Sequence, residues 1–105
     1  MIKKGYPQMT KTVYIKSIRL NKTYSNGIET YQYSPIYKAI RYLDSLVQKY
    51  NSEHRRHITM SVKSTYNDER AEISLDGKRS SLAELTSGLR QTNFFEYYEW
   101  NEYNY

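Results

Sequence analysis

The stretch Asn26-Gly27-Ile28-Glu29-Thr30-Tyr31-Gln32-Tyr33-Ser34-Pro35-Ile36-Tyr37-Lys38-Ala39-Ile40-Arg41-Tyr42-Leu43 passes from turn to strand to helix without a spacer. Asn-Gly is a strong two-residue hairpin signal, because both central residues of a type I′ turn need positive φ. It returns the chain as a strand over residues 28–33. Ser34-Pro35 then predicts a helix start, a capping side chain followed by proline at the first helical position. Beyond it Ile36, Ile40, Leu43, Val47 and Tyr50 recur at offsets 0, 4, 7, 11 and 14, with Ala39 and Leu46 beside them. That spacing is one apolar stripe of a helix ending near Asn51.

Working outward, residues 11–20 read as the first strand of the hairpin. Val13 and Ile15 share one parity and Ile18 and Leu20 the other, so either a bulge falls near Lys16-Ser17 or both faces are partly buried. Residues 1–9 read as a flexible basic arm, with Gly5 and Pro7 breaking any regular element. On the other side, residues 56–65 predict a strand with Ile58, Met60 and Val62 inward. Asn67-Asp68-Glu69 turns into another with Ala71, Ile73 and Leu75 inward, ended by Asp76-Gly77. Ser81 with Glu84 three residues on is a capping box that opens a short helix over 82–89. The expected fold is α+β, a single domain over 1–105. It is a small antiparallel sheet in ββαββα order with one long and one short helix on one face. Residues 93–105 stay open between a third helix and an edge strand. Glu96, Glu99 and Glu102 recur every three residues, whereas the rings between them favour a strand.

Charge divides this chain end to end. Residues 1–65 carry 12 Lys/Arg against 3 Asp/Glu, and residues 66–105 carry 4 against 8, within a net charge of +5. The acidic end finishes in Phe94-Phe95-Glu96-Tyr97-Tyr98-Glu99-Trp100-Asn101-Glu102-Tyr103-Asn104-Tyr105, seven rings and three carboxylates with no cation. Rings at that density offer large, stiff contact area with polar tips and suit recognition of a surface. Phe94 and Phe95 are expected to pack down. Glu96, Tyr97, Tyr98, Glu99, Trp100, Glu102, Tyr103 and Tyr105 are the candidate partner-binding residues. A homodimer seam and docking onto the basic half are the competing uses of the same segment.

The second candidate surface is basic. Lys38, Arg41 and Lys49 lie on the helix face opposite the apolar stripe, and Arg55, Arg56 and Lys63 follow it. Lys16, Arg19 and Lys22 can add to them from the hairpin. Such a face suits nucleic acid through counterion release, with Tyr37 and Tyr42 placed to stack. No zinc finger, helix-turn-helix or RNA-recognition signature accompanies it.

Chemistry beyond binding finds little support. The absence of Cys excludes disulfides and thiol nucleophiles. His54 and His57 flank two Arg, which opposes a metal dication, and no third soft ligand exists to complete a shell. No nucleophile elbow or glycine-rich phosphate loop appears. The expectation is a protein that is not an enzyme and takes no metal or cofactor. With no signal-type or membrane-spanning apolar run, a soluble cytoplasmic chain is expected, with no membrane partner.

In size and composition, a short Cys-free chain rich in Lys, Asn, Ile and Tyr and ending in Phe94–Tyr105, the protein resembles small accessory proteins of phages and mobile elements. Among these it is most similar to the anti-CRISPR and related anti-defence inhibitors. That resemblance implies a non-catalytic inhibitor acting in the host cytoplasm on a host nuclease or nucleoprotein complex, blocking nucleic-acid access by protein–protein contact. The alternative is a small basic DNA- or RNA-binding protein acting through the exposed face of helix 35–50.

Overall fold

The computed structural model describes residues 8–102. Six strands and two helices follow in the order β1 (Gln8–Lys16), β2 (Arg19–Ser25), β3 (Ile28–Tyr33), α1 (Ile36–His54), β4 (Thr59–Tyr66), β5 (Arg70–Lys78), α2 (Arg79–Leu89) and β6 (Phe95–Glu102). The chain is α+β with antiparallel sheets, and the order is βββαββαβ. Of the expected basic arm, residues 1–7 lie outside the described residues, and residues 8 and 9 open β1.

The four-stranded sheet runs β4-β5-β1-β6, and β2-β3 forms a separate two-stranded ribbon. The expected strand over 11–20 is therefore two strands. The break falls at Ser17-Ile18, where the parity of the apolar residues changes. There the Ser17 amide donates to Glu69 O at 2.8 Å and Ile18 O accepts from the Ser34 amide at 2.9 Å. These bonds release the chain from β1 and start the ribbon.

One hydrophobic cluster holds the sheet to both helices. Val13 and Ile15 of β1 and Ala71, Ile73 and Leu75 of β5 meet Ile36, Leu43 and Val47 of α1 and Leu82, Leu85 and Leu89 of α2. Period-2 patterning in β1 and β5 and period-3.6 patterning in α1 meet at this layer, as two-layer packing requires.

Several local expectations are corrected. Pro35 is the N-cap of α1, and no side chain caps it. Ser34 is buried instead, with its hydroxyl turned to Ile18 O at 3.4 Å. The helix runs past Asn51 to His54, where Arg55 in the left-handed region ends it with its amide on Asn51 O. Ser81 lies inside α2 and is buried, so no capping box forms; α2 begins at Arg79, directly after β5. Glu84 accepts a 2.5 Å bond from the Tyr50 hydroxyl of α1. Gly77 does not end its strand: a Cβ there would lie 3.2 Å from Ile58 Cγ1, so the glycine allows a close approach within the layer. Val62, expected inward, is 46% exposed and Met60 only half-buried, because β4 is an edge strand whose register shifts between Val62 and Ser64. The turns hold as read. Asn26 and Gly27 have φ of 53° and 77°, and Asn67 and Asp68 have 49° and 57°.

Within the 93–105 alternative, residues 95–102 form an edge strand, β6, antiparallel to β1. The Cα radius of gyration is 16.2 Å, against about 13 Å for a compact chain of this length. An extended shape of this kind fits a ribbon whose six β3 residues are all exposed.

Candidate binding surfaces

The pleat of β6 divides the C-terminal aromatic cluster between two faces. Register partners share a face, so Trp100 and Tyr98 lie beside Lys11 and Val13 on the helix side, while Tyr97 and Glu99 lie beside Tyr14 and Thr12 on the open side. Phe94 is buried with its ring edge-on to Tyr42 at 5.3 Å, and Phe95 is half-buried. Both therefore pack down. Tyr103 and Tyr105 lie outside the described residues, and Glu102 closes the strand.

On the helix side Tyr98 and Trp100 enclose a cation. The Lys11 side chain is buried, 1% exposed, in the row that carries Val13 and Ile15. Its Nζ lies 3.6 Å from the Tyr98 centroid and 4.1 Å from that of Trp100, and donates to Thr86 Oγ1 at 2.5 Å. Further cations stand at the same rings: Arg79 lies 5.0 Å from Trp100, and Arg90 lies 5.1 Å from Tyr98 and donates to its hydroxyl. Burial first, then the Arg90 and Arg79 charges, push the Lys11 ammonium down to about 8. Two of the eight expected partner-binding residues, Tyr98 and Trp100, thus cover a buried charge of the same domain. The sequence reading missed Lys11, although its parity with Val13 and Ile15 was the signal.

On the open side the register gathers hydroxyls and carboxylates. Thr10, Thr12 and Tyr14 of β1 lie beside Asp76, Ser74 and Glu72 of β5, with Ser61 and Tyr66 of β4 beyond and Tyr97 and Glu99 of β6 on the other flank. Tyr14 and Tyr97 stack at 4.4 Å with an 18° tilt. Thr10 donates to Asp76, and the Tyr66 hydroxyl to Glu72 at 3.3 Å. Partial burial, followed by the Glu72 and Glu99 carboxylates, holds the Tyr14 phenol above its ordinary value. Glu96 sits at the register shift and pairs with Arg70 at 3.2 Å. The result is a face with a ring pair and four carboxylates, partly balanced by Arg70 and Lys16, with Thr10, Thr12 and Ser74 buried between them. Its β5 contribution, Glu72 and Asp76, was not among the sequence candidates, because long-range register decides it.

The basic candidates occupy a different part of the molecule. Lys38, Arg41 and Lys49 are exposed, and at 100° per residue they fall within roughly 80° of each other around α1. Arg55 and Arg56 are exposed at its C-terminal end, and Lys63 is exposed at the irregular edge of β4. His54 stacks on Tyr50 at 4.2 Å and His57 is exposed.

At the root of the ribbon Lys16, Tyr33, Asp68, Glu69, Arg70 and Glu96 line an open cleft of about 620 Å³, with one carboxylate in excess of its cations. Along the ribbon Lys22 pairs with Glu29 at 2.8 Å, and each shifts the other towards its charged form. Among the described residues no helix is long and apolar enough to cross a membrane. The chain matches no protein-family model, no curated protein and no solved structure.

Proposed function

We propose that this chain is a non-catalytic binding protein that docks the open face of its sheet on a basic protein surface which otherwise holds nucleic acid. The observation that carries this reading is the placement of Glu72 and Glu99 beside the stacked Tyr14–Tyr97 pair, with Asp76 farther along β5 and Glu96 paired to Arg70 at the margin. Carboxylates spaced along one sheet face, with a ring pair among them, complement a Lys/Arg-rich channel in charge and supply aromatic contact area. The partner class that fits is a nucleic-acid-guided nuclease, whose channel is positively charged. Inhibition of such a host defence nuclease, by occluding its nucleic acid, is the activity we assign.

The test is inhibition of target cleavage by purified RNA-guided nuclease complexes, titrated with the protein and with Glu72→Lys/Glu99→Lys. Wild type is expected to inhibit one of them and the double variant to lose at least tenfold in potency, or about 1.4 kcal/mol. Equal potency of the two proteins refutes the assignment to this face. Inhibition of none refutes the nuclease reading.

A second reading rests on the alignment of Lys38, Arg41 and Lys49 on one stripe of α1, which suits a phosphate backbone. It predicts that changing all three to Glu abolishes a salt-sensitive affinity for nucleic acid.

A further inference from the structure

The β2–β3 ribbon exposes large side chains outside the hydrophobic core. Leu20, Tyr24, Ile28, Tyr31 and Tyr33 are all exposed, Tyr24 by 68%. An isolated two-stranded hairpin is marginal in water, since one strand pair buries little. This ribbon is held at its root by Ser34 on Ile18 and by Asn93 on Arg19 O at 3.2 Å, and beyond the root the two strands pair with each other.

Its two faces differ. Pairing sets Lys22 opposite Tyr31, Tyr24 opposite Glu29, and Arg19 opposite Tyr33, so three tyrosines and two cations share one face. Thr23 and Thr30 bond to each other on the other face. On the ring face the Arg19 guanidinium lies 4.8 Å from the Tyr31 centroid and the Lys22 Nζ 5.5 Å from that of Tyr24. Tyr31 and Tyr33, two residues apart on one strand, have centroids 6.5 Å apart. That is close to twice the rise of stacked bases, about 3.4 Å, so the interval admits one base between the rings. Their 49° tilt closes by rotation of exposed side chains on the ps–ns timescale. Glu29 shares this face, held by Lys22 at 2.8 Å and by the Tyr31 hydroxyl at 2.5 Å, so a phosphate reaches Lys22 in competition with that carboxylate while Arg19 stands clear of it.

We infer that the ribbon is a stacking platform for single-stranded nucleic acid, with Tyr24, Tyr31 and Tyr33 taking unpaired bases and Arg19 and Lys22 the phosphates between them. Rings interleaved with cations along an open strip are the general requirement for sequence-tolerant strand binding. A duplex hides the faces of its bases and gains nothing from these rings. The site meets the open sheet face only at the root cleft, where Tyr33 and Glu96 both line the wall, and it uses none of the α1 stripe.

The experiment is fluorescence anisotropy of labelled 20-nucleotide single strands of mixed sequence, DNA and RNA separately, with the matching DNA duplex as control. It uses the full chain at 50 mM and 200 mM salt. Wild type is expected to bind at least one single strand, and tighter than the duplex. Tyr24→Ser/Tyr31→Ser/Tyr33→Ser is expected to lose at least thirtyfold with an unchanged circular-dichroism spectrum. Arg19→Gln/Lys22→Gln, which leaves the rings in place, is expected to weaken binding and flatten its salt dependence. DNA bound over RNA, or the reverse, identifies the source of the strand. Duplex preference, no single-strand binding at 50 mM salt, or undiminished affinity in the tyrosine variant overturns the inference. So does loss of binding in Lys38→Glu/Arg41→Glu/Lys49→Glu with the tyrosine variant unaffected. If sedimentation shows wild type dimeric, the tyrosine variant monomeric, and neither binding a strand, the ribbon is a dimer contact and the inference fails.

Discussion

Replacing Lys11 with Met should make the protein more stable at neutral pH. The ammonium is 1% exposed, with one hydrogen bond to Thr86 and two ring faces in place of its hydration shell. That shell is under-replaced, since its pKa falls from 10.5 to about 8. Below pH 8 the folded and unfolded chains both carry the proton, and the fold bears the full cost of holding the charge. Between about 8 and 10.5 the unfolded chain binds more protons than the folded one, so stability rises with pH across that window. Discounted for the solvent screening left at the rim of the ring cage, the gain from pH 7 to 9.5 is about 1–2 kcal/mol. Met fills nearly the same volume without a charge, and Thr86 keeps its 2.8 Å bond to Leu82 O. The variant should therefore gain about 1 kcal/mol at pH 7, or roughly 4–8 °C in Tm. That advantage should shrink towards zero by pH 9.5. The assay is urea denaturation of both proteins at pH 7, 8, 9 and 9.5, read as the difference between them, so that the tyrosines titrating in both cancel. A variant less stable at pH 7, or a difference constant over the range, would refute the reasoning and show that the two cation–π contacts outweigh desolvation.

Trp100→Ala should destabilise by about 3 kcal/mol in urea melts, because it opens one wall of the Lys11 cage and removes the ring that carries Arg79. Tyr50→Phe deletes the 2.5 Å bond to Glu84 that ties α1 to α2 and should cost about 1 kcal/mol by the same measurement. Leu43→Ala, in the layer between α1 and the sheet, should cost about 2–5 kcal/mol. Val62→Thr should stay within about 0.5 kcal/mol, since the side chain faces solvent at the edge.

What could be read from sequence was set by range. The hairpin turns and the apolar stripe of α1 are local: Asn26-Gly27 needs positive φ, and offsets 0, 4, 7, 11 and 14 need a helix, whatever surrounds them. The errors lie where a distant partner decides. Ser34 and Ser81 carry cap-like spacing, yet each is buried because Ile18 and the α1–α2 contact claim it. Val62 alternates correctly, but alternation cannot say that β4 lacks an outer neighbour. The aromatic cluster was visible as composition. Its division into a Lys11 cage and an open-face pair depends on the register of β6 against β1, which no spacing within residues 93–105 encodes.

That register has a consequence for how the chain is made. Val13 pairs with Tyr98, 85 positions later, so β1 leaves the ribosome long before its second neighbour exists. Until β6 is synthesised, β1 can join only β5, and its far edge stays a template for foreign strands. During that interval the Lys11 ammonium has no ring over it and stays in water, a charge that discourages strand pairing by strangers. The residue that burdens the finished fold would then serve as a temporary guard on the growing one.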